Sequence, residues 1–225
     1  MKFRLFLTVS VGMALGLGPV RAVDTNSVLN AWLAVQAKAQ FWSADFTQTR
    51  HLKTFTQPLT SKGKLWFAAP NQFRWELGDP PRTVAVRHGD ELLVIYPLLK
   101  RAERYPLSDG TMGPARDAMA IFEAGFPRNR ADMERQLRLV SLTSNNGSWE
   151  ITLQPASRST RRFLSEICVV LSTNDYALVA TELVFTEGSR VRTDFTNAVT
   201  GQPPDQSLFQ PKLGSDYTIT QPLSK

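Results

Sequence analysis

The sequence predicts a mainly β protein with an α lid: a single antiparallel sheet of about eleven strands, curved into an open half-barrel, with two or three helices over its concave face. Three observations predict it. Apolar and polar residues alternate with period two from Trp42 onward. Turn-forming residues interrupt that alternation at short intervals. Helical spacing is confined to the start and the middle of the chain. So many strands and so few helices must share one core, and one large curved sheet uses all of them. Such a layout leaves an apolar space between sheet and helices, where a hydrophobic ligand fits.

The chain opens as a secretory signal. Lys2 and Arg4 give it a positive start, residues 5–17 are apolar, and Val20-Arg21-Ala22 places small residues around a cut after Ala22. The apolar run is shorter than the roughly 18–20 residues of a spanning helix, and Pro19 and Arg21 close it. Cleavage is expected to remove residues 1–22 and to leave 23–225 as one domain in the periplasm. The formal charge is +6, of which Lys2, Arg4 and Arg21 leave with the signal. The mild positive balance that remains bears on solubility, and no basic block argues for nucleic acid. The single cysteine, Cys168, cannot form an internal disulfide, and its apolar flanks predict a small buried core residue.

Val28, Leu29, Trp32 and Val35 recur at helical spacing over residues 26–40, with Asp24 and Asn26 as candidate caps. Strands are then predicted at 42–50, 63–68, 73–77, 83–87, 92–96 and 101–105, separated by turns at 69–71, 78–81, 88–90 and Pro97. Six strands with short links predict an antiparallel meander. Residues 114–125 read as a second helix stopped by Gly125-Phe126-Pro127, and 131–137 as a short third. Strands resume at 137–143, followed by the Asn145-Asn146-Gly147 hairpin signal and the alternating run of Trp149, Ile151 and Leu153. Strands at 165–172, 178–186 and 190–195 complete the set, and the Pro-rich tail beyond Thr200 reads as extended.

Chemistry is sparse. The only histidines are His51 and His88, and with one cysteine they give no metal-ligand spacing. No nucleophile elbow, phosphate-binding glycine loop or paired-histidine helix is present, so no enzymatic activity and no cofactor are expected. An esterase would need a Ser–His pair in the cavity. The abundant feature is apolar surface. Leu65-Trp66-Phe67 and Leu92-Leu93-Val94-Ile95 are apolar at successive positions, so both faces of the sheet are greasy. A lone antiparallel sheet normally turns one face to water. Helices on one side and either a ligand or more protein on the other would account for this.

The segments Phe46-Thr47-Gln48-Thr49-Arg50, Gly63-Lys64-Leu65-Trp66-Phe67, Pro70-Asn71-Gln72-Phe73-Arg74-Trp75 and the His88-Gly89-Asp90 turn, taken in order, resemble the bacterial LolA family of periplasmic lipoprotein carriers. The ending Leu208-Phe209-Gln210-Pro211-Lys212-Leu213-Gly214 is similar to it as well. The resemblance runs by motif from the signal through Tyr96 and by layout thereafter. It implies an open barrel lidded by helices, with an apolar cavity for acyl chains. It further implies an acylated lipoprotein or lipid cargo, an inner-membrane ABC transporter as donor, an outer-membrane acceptor and a monomeric carrier.

On that resemblance the lipid-binding residues are expected to be Phe46, Leu65, Phe67, Phe73, Trp75 and Ile95 from the sheet and Met119, Ile121 and Phe122 from the lid helix. Trp66 is placed with equal ease outside, under the first helix. One departure bears on gating. Family carriers have an arginine before the Pro of the Pro-x-x-Phe segment, where it bonds lid backbone, and this chain has Ala69. A glycolipid or pigment-lipid cargo, and a lipid-binding envelope sensor, are the alternatives to lipoprotein transport.

Overall fold

A computed structural model gives the protein's structure, and it describes residues 24–107, 127, 129–201 and 205–222. The expected signal segment and the expected lid helix with Met119, Ile121 and Phe122 lie outside the described residues.

The first helix, α1 (Thr25–Lys38), starts where Asp24 accepts a hydrogen bond from the Asn26 backbone N–H at 3.1 Å. That carboxylate satisfies a donor which the first helical turn leaves unpaired. The helix buries Val28, Leu29, Trp32 and Leu33. Val35 is exposed and does not belong to the packed stripe, which is completed by Leu33 instead.

The meander follows as predicted: β1 (Phe41–His51), β2 (Leu59–Ala68), β3 (Gln72–Leu77), β4 (Thr83–His88), β5 (Glu91–Tyr96) and β6 (Arg101–Pro106), each antiparallel to the last. A short helix, α2 (Arg130–Gln136), capped by the Asn129 side chain, leads into β7 (Leu137–Asn145) and β8 (Ser148–Pro155). Asn146 and Gly147 both have positive φ in the turn between them, the conformation an Asn-Gly pair supplies for a two-residue hairpin. β9 (Leu164–Ser172), β10 (Leu178–Phe185) and β11 (Arg190–Thr200) continue the antiparallel order, and β11 closes against β1.

The tail corrects the sequence expectation. After a 3₁₀ turn at Gln206–Phe209 it forms a twelfth strand, β12 (Thr218–Thr220), which pairs with β6 in parallel. The result is one twelve-stranded, mostly antiparallel sheet in the order β12-β6-β5-β4-β3-β2-β1-β11-β10-β9-β8-β7. It is not a closed barrel: β12 and β7 stand at opposite edges. Two α-helices occur among the described residues, and none of their helices is long and apolar enough to cross a membrane.

Each face of the sheet has its own core. On the inner face, Leu29 and Trp32 of α1 and Met133 of α2 pack with Phe46, Leu65, Ile151 and Val169. On the outer face, Phe209, only 1 % exposed, is packed among Ala68, Val84, Val86, Leu93, Ile95 and Ala102. The C-terminal segment is thus the protein that covers the second greasy face. Arg74 holds it there, donating to the Leu208 carbonyl at 3.2 Å while paired with Glu76 at 2.6 Å.

Candidate functional site

Alternation along paired strands sets the candidate site. Phe67 of β2 stands opposite Phe73 of β3, and Leu65 opposite Trp75. Phe46 of β1 stands between Gly63 of β2 and Phe195 of β11. All of these point to the inner face. Phe46 and Trp75 meet with ring centroids 4.2 Å apart, and Phe195 lies edge-on to both Phe46 and Trp42, at 6.4 Å and 5.3 Å. Offset and edge-to-face contacts of this kind hold aromatic rings in fixed orientations.

This wall continues past the helix-covered core. Phe73 and Leu92 form a second inner-face cluster with Trp75, Ala85, Val94, Tyr105 and Leu107. Trp75 belongs to both clusters and joins them into one apolar strip from β11 to β6. At its β6 end the strip turns polar. Glu103 accepts hydrogen bonds from Tyr105 at 2.8 Å, Arg101 at 3.0 Å and Tyr96 at 3.4 Å, and Arg101 stacks 4.8 Å from the Tyr96 ring. Burial, with the Glu103 carboxylate beside it, pushes the Tyr105 hydroxyl up to about 12.

Five of the expected residues, Phe46, Leu65, Phe67, Phe73 and Trp75, therefore share one face. Ile95 does not join them. It lies on the outer face beneath Phe209, because β5 is apolar on both sides and its register puts Leu92 and Val94 inward. Trp66 is also on the outer face, under the C-terminal segment and not under α1. The sequence reading missed Leu92, Val94 and Phe195. The Val191-Thr193-Phe195 alternation carried a signal for the last, whereas an unbroken apolar run carries none for the others.

The remaining candidates sit elsewhere. Ala69 is in the β2–β3 turn, its N–H bonded to the Gln40 carbonyl at 2.9 Å. Arg74 engages the C-terminal segment on the outer face. His51 and His88 are both exposed, and His88 bonds Gln72 at 2.9 Å. Among the described residues no group of acidic, His and Cys side chains could hold a metal ion. A groove of about 630 Å³ is lined by a mixed set in which the charged Asp45, Lys62, Lys64, Glu76 and Asp79 stand beside Phe46, Trp66 and Pro81.

Residues 37–212 match the family model described as outer membrane lipoprotein carrier protein LolA. The chain belongs to the LolA family. Among solved structures, an uncharacterized conserved protein from Thermus thermophilus is similar at 9 % identity with a TM-score of 0.52, over 87 % of this chain and 98 % of that one. At that identity the likeness shows the fold alone. A LolA superfamily protein from Nitrosomonas europaea aligns at 11 % identity with a TM-score of 0.44, covering 83 % and 98 % of the two chains. In the Pseudomonas aeruginosa MucA/MucB complex, 62 % of the matched chain and 86 % of this one align at 15 % identity with a TM-score of 0.45. No curated protein sequence matches significantly.

Proposed function

We propose that this LolA-family chain is a non-enzymatic carrier in the periplasm. It shields the acyl chains of a lipoprotein, or of a related lipid, and moves them from an inner-membrane donor, an ABC transporter, to an outer-membrane acceptor. The observation that carries the reading is the continuous apolar strip on the inner face, with Trp75 bridging its two clusters. Each acyl CH₂ kept from water is worth about 0.8 kcal/mol, so a long chain does not cross an aqueous compartment unaided. Burial against Phe67, Phe73, Trp75, Leu92 and Val94 offsets that cost without a reaction step. Met119, Ile121 and Phe122 are proposed to cover the bound chain. A glycolipid or pigment-lipid would occupy the same strip.

Protein isolated gently from the periplasm should release acylated material on solvent extraction, and mass spectrometry of the extract separates lipoprotein from other lipids. A fluorescent fatty acid should bind the purified protein, with Trp75→Ala weakening it about tenfold or more. Trp75 is half-buried, so this variant tests the wall with less harm to the fold than truncating Phe46. Full-strength binding by a folded Trp75→Ala variant, with no lipid in the extract, contradicts the reading.

A further inference from the structure

The two ends of the sheet are chemically unlike. Because neighbouring strands are antiparallel, the turns at 52–58, 78–82, 97–100, 156–163 and 186–189 all fall at one end. Those at 69–71, 89–90, 146–147 and 173–177 fall at the other. The first set carries Lys53, Arg82, Lys100, Arg158, Arg161 and Arg162 against Asp79 and Glu187, with Asp216 of the C-terminal segment paired to Lys100 at the same end. The second carries Asp90 and Asp175 and no lysine or arginine. Exposed large apolar side chains in the turns follow the same division: Phe55, Leu98, Leu99 and Phe163 all lie at the basic end.

The β5–β6 turn is the sharpest point of this surface. Leu98 is 73 % exposed and Leu99 67 %, the two largest such values among the described residues. They stand on a 3₁₀ turn, Pro97–Leu99, closed by Lys100 in the left-handed region with its N–H on the Pro97 carbonyl at 3.2 Å. The turn is braced from behind. Thr218 bonds the Lys100 carbonyl at 2.9 Å, and the Lys100 ammonium reaches Asp216 at 3.3 Å and the Tyr217 ring at 5.1 Å. Both leucines are therefore held outward by well-bonded backbone. Phe55 presents a second apolar tip, at 57 % exposure, on the β1–β2 turn. The two turns are separated by the β2 to β5 interval of the sheet, roughly 15 Å at the usual strand spacing.

We infer that this end of the sheet is a docking surface for an anionic phospholipid bilayer, with Leu98, Leu99 and Phe55 entering the headgroup boundary and the exposed cations along the same end, Lys53, Arg82, Arg158 and Arg162, meeting lipid phosphates. Apolar tips on a face that also carries exposed lysine and arginine are what interfacial membrane contact requires. The charge sign selects an anionic surface. A protein partner fits less well, since narrow turn tips offer little of the roughly 800 Å² per side that a specific protein interface buries. Three side chains and a diffuse charge give a weak, reversible contact. This inference does not rest on what the inner face binds.

The test is co-sedimentation of the purified protein with phosphatidylcholine vesicles with and without about one third phosphatidylglycerol. The protein should partition to the anionic vesicles and be released by high salt, and the double variant Leu98→Asp, Leu99→Asp should lower the partition coefficient about tenfold or more. Both side chains are exposed, so the fold and fatty-acid binding should be retained. As a second readout, Leu99→Trp should show fluorescence quenched by brominated acyl chains only when anionic vesicles are present. No binding to any vesicle, or equal binding by the aspartate variant, overturns the inference.

Discussion

Phe46 on β1 and Gly63 on β2 stand directly opposite one another, and the Phe46 ring fills the space that a side chain at position 63 would need. With that strand position bare, Phe46 reaches across β2 to lie against Trp75 of β3. A methyl group on residue 63 would overlap both the ring and the Glu76 carbonyl oxygen. One contact is to backbone, so the clash cannot be relieved by a rotamer change. Gly63→Ala should cost about 3 kcal/mol, the upper part of the usual overpacking range, by urea denaturation. A loss below about 1 kcal/mol would show that β2 yields there at little cost.

Phe209 is the only fully buried side chain among the described residues of the C-terminal segment. Phe209→Ala should destabilise the protein by about 3–5 kcal/mol, as for other large-to-small changes at buried aromatic sites. Ile219 on β12 is 46 % exposed, so Ile219→Ala is the matching control and should stay within about 0.5 kcal/mol of the parent. Equal effects of the two changes would mean that strand pairing, not the Phe209 plug, holds the segment.

The same two regions show what sequence could and could not reveal. The meander from β1 to β6 was legible because its alternating runs were ended by residues with turn chemistry, such as Gly78-Asp79-Pro80-Pro81 and Gly89-Asp90. The aromatic wall was legible in part, since Phe46, Leu65, Phe67, Phe73 and Trp75 keep period two within their strands. Ile95 went astray because Leu92-Leu93-Val94-Ile95 gives no parity, and only the pairing of β4 with β5 decides which pair faces in. β12 was illegible for another reason: three residues that pair in parallel with a strand about a hundred positions earlier leave no local pattern.

Cys168 also departed from the apolar-core expectation. It is half-buried on β9, opposite Glu182 of β10 and Thr152 of β8. Burial, followed by the charges of Glu150 and Glu182, pushes its thiol up to about 11. The thiolate is the reactive form, so at about pH 8 the folded protein should be alkylated by iodoacetamide roughly a hundredfold more slowly than the unfolded chain. Glu182→Gln should accelerate the reaction in the folded state. A folded-state rate close to the unfolded one would contradict the assigned environment.

The last prediction concerns Tyr105, which closes the polar end of the inner strip. Its hydroxyl donates to Glu103 at 2.8 Å, and losing that proton would set a phenolate beside a carboxylate already in place. Burial and that neighbour raise the group to about 12 from an ordinary value of 10.0. Between those two values the unfolded chain has released the proton while the folded protein still holds it, so the folded state binds more protons. Stability must therefore fall as pH rises through this window, and the contribution is fully present below about pH 10. Tyr105→Phe removes the titrating group, and its stability should decline less than the parent's between about pH 8 and pH 11. Glu103→Gln keeps the phenol but removes its anionic neighbour, so the near-ultraviolet tyrosinate transition should shift to lower pH. Urea denaturation of all three proteins at both pH values, with absorbance titration of the folded forms, checks the sign. If the parent and Tyr105→Phe lose stability in parallel, the hydroxyl does not titrate differently in the two states, and the Glu103 contact does not govern it.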